Sequence, residues 1–127
     1  TVRLLSQSLP NYRFIFLSAP SEAGRIGPVV EQLKRQTKAD VCLANVSLGG
    51  LVSLLKKSRL LITGDTGVKH MAAAIGCQVL ELSIGSSSLT RTGALLEGSL
   101  ILQSNEACAP CRHSEKCHRS SHLCADG

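Results

Sequence analysis

The sequence predicts a parallel α/β fold, in which β-strands alternate with α-helices along the chain. Short apolar runs of strand length recur regularly, and between them apolar residues follow the i, i+3, i+4, i+7 spacing of one helical face. Strands joined through helices form βαβ units, which imply a parallel sheet with right-handed crossovers. Apolar residues make up 43% of the chain, yet it has only one Tyr, two Phe and no Trp. A core of Leu, Ile, Val and Ala is typical of a parallel sheet with helices on both faces.

Length and charge limit the classes of function. A chain of 127 residues is long enough for one domain with a real core. The net charge of +5 permits an anionic partner, but several of the cations lie at predicted helix ends, where they complement the helix dipole. The shortage of aromatic residues counts against stacking on single-stranded nucleic acid. The first residues show no signal-peptide pattern, and the longest uncharged run, 41–55, is too short to span a bilayer.

The elements can be placed in order. We predict a helix end over 1–9 and helices around 26–33, 48–55 and 68–75, with strands at 13–18, 41–46, 60–62, 78–83 and 99–103. Pro28 is expected in the first turn of its helix, where a missing N–H costs nothing. Gly76 is expected to end the last helix. We predict a domain over 1–105 and a Cys-rich tail, 106–127, packed on it.

The stretch 60–75 is the candidate site, because an apolar strand leads through Gly64-Asp65-Thr66-Gly67 into an amphipathic helix. This geometry points the first N–H groups of the helix beyond the strand's carboxyl end, where parallel sheets bind ligands. Asp65 or Thr66 can cap the helix, and His70 lies one turn further on the same face. The alternative is an ordinary capped junction that binds nothing.

A second candidate segment, 85–92 (GSSSLTRT), has the composition of a phosphate-gripping loop. It does not match GxxxxGK[ST], and no GxGxxG follows any predicted strand. These absences argue against a nucleoside triphosphatase and a dinucleotide-dependent dehydrogenase. The alternative for this segment is a solvated loop.

These motifs carry a resemblance. The run GDTGVKHMAAAIGCQVLELSIGSSSLTRTG resembles the donor-site signature of glycosyltransferase family nine, the heptosyltransferases of lipopolysaccharide core synthesis. The tail CAPCRHSEKCHRSSHLC is similar to the cysteine-bearing tail of the second heptosyltransferases in that family. The resemblance is dense over residues 45–124. It implies the carboxyl-terminal, Rossmann-like half of a GT-B enzyme, which binds the nucleotide-sugar donor.

The resemblance also implies site residues. It assigns donor binding to Asp65, Thr66, Gly67, Val68 and His70, with Glu22 near the donor ribose. The sequence departs from the family pattern at Val68-Lys69, where an ammonium would either help to bind a diphosphate or be solvated.

The activity that the resemblance implies is inverting transfer of a sugar, with ADP-heptose as the expected donor and a lipid-linked sugar as the acceptor. The catalytic base is expected in an amino-terminal half outside this chain, so we expect no catalytic residue here and an inactive fragment. The implied location is cytoplasmic, peripheral to the inner membrane. The sequence identifies no certain cofactor, apart from the structural zinc ion that the cysteine cluster would allow, and no nucleic acid is expected as a partner.

Six cysteines form two groups. Cys42 and Cys77 fall in apolar surroundings, which is typical of buried thiols. The others follow the spacing Cys108-x2-Cys111-x5-Cys117-x6-Cys124, which is compatible with a structural zinc site, with disulfides formed on purification, or with unpaired thiols.

Two further functions stay open. A related nucleotide-sugar enzyme, such as an epimerase, would share the nucleotide site and differ in its product. A basic nucleic-acid-binding or regulatory module, with a Cys/His zinc knuckle, would instead bind RNA or DNA with a steep dependence on salt.

Overall fold

The computed structural model describes residues 2–85, 92, 96–110 and 124. The chain divides into two compact units, Thr1–Ser47 and Leu48–Gly127, and each contains a parallel sheet with helices. The predicted α/β class is therefore confirmed. The single sheet that we expected is replaced, in the described residues, by a two-stranded and a three-stranded sheet. Periodicity identifies strands, but it does not determine which strands pair.

The first unit is built around two parallel strands. Its elements are α1 (Val2–Ser8), β1 (Arg13–Leu17), a short 3-10 turn (Pro20–Glu22), α2 (Ala23–Gln36) and β2 (Asp40–Ala44). The strands pair from Arg13 opposite Asp40 to Leu17 opposite Ala44, and the first of these pairs is joined by an ion pair of 2.5 Å. Helix α2 packs on β2, where Val30 and Val41 are buried.

The position of Pro28 differs from the prediction. Helix α2 begins at Ala23, directly after the 3-10 turn, so Pro28 lies in the second turn rather than the first. At this position a proline removes one hydrogen bond to the carbonyl of Gly24. The preceding residue, Gly27, has no Cβ to meet the proline ring, which lowers the steric cost of keeping the helix continuous. The apolar spacing did not indicate this early start.

The second unit contains three parallel strands in the order β3-β4-β5. Its elements are α3 (Leu48–Lys57), β3 (Leu61–Thr63), α4 (Gly67–Ala74), β4 (Val79–Ser83) and β5 (Leu100–Gln103). Helix α4 packs on β3, β4 and α3. The apolar core of the second unit comprises Leu55, Leu61, Ala72, Cys77 and Val79. Among the described residues, no helix combines the length and the apolar character needed to cross a membrane.

The end of α4 agrees with the prediction. Gly76 has a φ of 81°, and its N–H bonds to the carbonyl of Ala73 while the N–H of Cys77 bonds to that of Ala72. These two bonds form a Schellman motif, which satisfies carbonyls that the helix end leaves unpaired. Gly76 thus directs the chain from α4 into β4.

Two described residues of the tail contact the rest of the second unit at Gly85. A Cβ placed on Gly85 would lie 2.8 Å from the Cβ of Ala109 and 3.8 Å from that of Cys124. These contacts bring two tail residues to the end of β4. The predicted division into 1–105 and 106–127 stays a prediction.

Candidate functional site

The turn between β3 and α4 leaves the start of the helix open. Thr66 occupies the N-cap with an extended backbone (φ −138°, ψ 162°), but its hydroxyl makes no capping bond and lies 3.2 Å from the hydroxyl of Thr63. Gly67, the first helical residue, is exposed, and a Cβ built on it would have no described heavy atom within 4 Å. An anion can therefore approach the first amides of α4 closely in the described part of the chain.

Asp65 lies at the same turn, with its side chain 24% exposed. One carboxylate oxygen accepts a hydrogen bond of 2.5 Å from the ammonium of Lys69, one helical turn away. The resemblance assigned Asp65 to donor binding. In this structure its charge already has a cationic partner.

Lys69 is fully buried, which excludes solvation, one of the two alternatives that the sequence left open for its ammonium. Its ammonium donates to Asp65 and to the backbone carbonyl of Thr92, and it lies 3.1 Å from Oε1 of Glu81 on β4. The buried face of α4 is centred on Lys69 and Ala72, whereas Val68 and Met71, the expected core residues, are only half-buried. Ala72 belongs to the apolar stripe predicted for this helix, so the buried Lys69 widens the buried face of α4 beyond that stripe.

Glu81 is the functional candidate that the sequence reasoning missed. It is fully buried in the middle of β4, between the buried Val79 and Ser83. Oε1 makes an ion pair with Lys69 that is not aligned as a hydrogen bond, and Oε2 has no hydrogen-bond donor among the described residues. The signal was present: QVLELS places an acid on the same strand face as Val79, and buried carboxylates need a cation.

The remaining predicted donor residues are less constrained. His70 is exposed on α4, as expected for a residue off the apolar stripe. Glu22 belongs to the first unit, where its carboxylate accepts a hydrogen bond of 3.2 Å from the N–H of Ala19 and closes the turn before α2. This bond gives Glu22 a local structural role. The donor-binding roles of both residues stay predictions.

Of the predicted phosphate-gripping segment 85–92, the structure describes Gly85 and Thr92, and the hydroxyl-rich residues 86–91 lie outside the described part. A cleft of about 400 Å³ opens at the carboxyl ends of β4 and β5. Its lining comprises residues 82–84, 102–106 and Cys124. The buried hydroxyl of Ser83 in this lining has no hydrogen-bond partner among the described residues.

The cysteines are only partly described. Cys77 is buried, and desolvation raises the pKa of its thiol, opposed by a backbone hydrogen bond at Leu61. Cys42 and Cys124 are half-buried and Cys108 is exposed, whereas Cys111 and Cys117 lie outside the described residues. The described part of the chain contains no group of three metal-ligating side chains. The zinc site stays a prediction.

Comparisons with known proteins extend these observations. The model of a protein family described as "Glycosyltransferase family 9 (heptosyltransferase)" matches residues 6–122. The chain is 36% identical over 69 residues to lipopolysaccharide heptosyltransferase 1 of Pseudomonas aeruginosa (strain PAO1). That match covers 54% of this chain and 19% of the relative. No solved structure matches the chain significantly.

Proposed function

Because this chain belongs to glycosyltransferase family 9, the heptosyltransferases, we propose that it binds the nucleotide-sugar donor of a sugar transfer in lipopolysaccharide synthesis. The observation that carries the proposal is the open amino-terminal end of α4, with exposed Gly67 and no side-chain cap. The donor is a nucleoside diphosphate sugar, and ADP-heptose is the candidate that the family favours.

The family predicted from the sequence is confirmed. The relative found is a first heptosyltransferase, so the likeness of the tail to second heptosyltransferases stays a prediction. The same holds for the GT-B architecture, the lipid-linked acceptor and the location at the inner membrane. The match covers less than two thirds of the relative's length, so the transfer reaction of the whole protein is part of the proposal.

The chemistry explains why a helix start suits this reaction. When the sugar leaves its diphosphate, negative charge grows on the phosphate oxygens. Fixed N–H groups and the helix dipole stabilise that charge more strongly in the transition state than in the bound donor. A base must accept the proton of the acceptor hydroxyl, and we expect it from outside this chain.

Calorimetric titration of the chain with ADP, UDP and GDP tests the proposal. ADP should bind, and Gly67→Asp should weaken it by about tenfold or more, because a carboxylate at the first helical position repels diphosphate. The same change favours the helix itself, so lost binding will not reflect unfolding. Gly67→Asn is the matched neutral variant: it adds nearly the same volume without the charge, so the difference in affinity between the two variants measures the repulsion.

Asp65→Ala should also weaken the binding of ADP, as the resemblance implies. Absence of nucleotide binding, together with salt-dependent binding of RNA, would contradict the proposal and favour the nucleic-acid module. An epimerase would pass the nucleotide test, so product analysis with the full-length protein must separate it from a transferase.

A further inference from the structure

One buried ammonium joins three separate segments of the second unit. Lys69 on α4 contacts Asp65 in the turn after β3, Glu81 in the middle of β4 and the backbone carbonyl of Thr92, beyond the end of β4. An ammonium has three N–H donors, and here three oxygens from three segments surround it. Two of these segments follow the carboxyl ends of neighbouring parallel strands, where ligands bind in such sheets.

The burial of Glu81 limits what Lys69 can do. Glu81 is fully buried, and Lys69 is its only cationic partner among the described residues. Movement of the ammonium toward a bound diphosphate would leave that carboxylate buried without compensation, which is strongly unfavourable. The ammonium of Lys69 is therefore held by oxygen atoms of the protein, and its charge is neutralised there.

We propose that Lys69 is a positioning residue for the donor site, anchored by Glu81, which holds the Asp65 turn and the backbone at Thr92 in fixed positions at the start of α4. The inference rests on the proposed function, because it assigns the open helix end to the donor diphosphate. It assigns no contact with the donor to Lys69 itself, in contrast to the role that the sequence suggested.

A pair of variants separates positioning from stability. Lys69→Met alone leaves Glu81 uncompensated, so a loss of ADP binding in this variant would combine unfolding with misplacement of the turn. Lys69→Met/Glu81→Leu removes both buried charges and should restore folding. Lys57→Met, at the exposed end of α3, removes one positive charge elsewhere and serves as the matched control.

Two measurements are made on each variant. Amide hydrogen exchange at position 69, whose N–H donates to the carbonyl of Thr66, reports the order of the turn in the ligand-free protein, and calorimetry reports the affinity for ADP. In the double variant we expect wild-type thermal stability, exchange about tenfold faster at the turn, and ADP binding weaker by about tenfold or more, because small displacements of binding groups are costly. The Lys57→Met control should match the wild type in both.

Three results would contradict either the positioning role of Lys69 or the proposed function on which it rests. Wild-type exchange and wild-type affinity in the double variant would show that the cluster serves stability alone. Weaker ADP binding with unchanged exchange would show that Lys69 contacts the ligand directly, and would also overturn positioning. Failure of the wild-type chain to bind ADP would contradict the proposed function, while the exchange data would still decide whether Lys69 orders the turn.

Discussion

Removal of the Lys69 ammonium and removal of the Glu81 carboxylate should have unequal effects on stability. Both side chains are fully buried, and their charged atoms are 3.1 Å apart. Without Lys69, the carboxylate of Glu81 has no hydrogen-bond donor among the described residues. Without Glu81, the ammonium still has Asp65 and the carbonyl of Thr92 as acceptors.

This asymmetry determines the expected magnitudes. Lys69→Met should lower the free energy of unfolding by about 3–5 kcal/mol, the usual cost of leaving one buried charge unpaired. Glu81→Leu should cost only about 1–3 kcal/mol, because one of three interactions of the ammonium is lost. The double variant should be close to the wild type, since replacing both charges with apolar groups is near neutral. The coupling between the two positions is then the sum of the two single costs, about 4 kcal/mol or more.

Urea unfolding followed by circular dichroism gives each free energy of unfolding, with Lys57→Met as the surface control that should change it by less than about 0.5 kcal/mol. If Lys69→Met does not fold, recovery of folding in the double variant still tests the coupling. Equal costs of the two single variants, or additive costs in the double variant, would refute the argument from burial.

Two further predictions concern glycines and thiols. Gly76→Ala should cost about 1–2 kcal/mol, because the residue has positive φ but open space around it, whereas Gly85→Ala should cost clearly more, since its new Cβ would lie 2.8 Å from that of Ala109. Thermal unfolding measures both losses of stability. When Ala109→Gly is combined with Gly85→Ala, the additional loss at Gly85 should disappear. If that loss persists, the contact with Ala109 is not its cause. A thiol reagent at pH 8 should modify exposed Cys108 and spare Cys77, whose raised pKa keeps it neutral, with mass spectrometry as the readout. Since the pKa of Cys77 is higher in the folded state, this thiol should stabilise the protein at neutral pH and cease to do so in alkaline solution, and rapid modification of Cys77 in the native state would contradict its burial.

The local elements of this protein could be predicted from its sequence. Apolar spacing, together with Gly and Pro, identified the strands, the helices and the glycine that ends α4, because these features depend on neighbours within one or two helical turns. The helix start after Gly-Asp-Thr-Gly was predictable for the same reason, whereas the N-cap residue Thr66 makes no side-chain capping bond of the kind expected from the sequence. The residues also carried the resemblance to the family.

Only the tertiary structure decided how the elements combine. Lys69 and Glu81 are each anomalous in an apolar pattern, but their pairing requires that α4 and β4 turn the faces carrying these residues toward each other. The pairing of the strands in two sheets likewise depends on contacts between residues far apart in the chain. Spacing along the chain records which residues are apolar, whereas burial of a charge depends on the partner that folding brings to it.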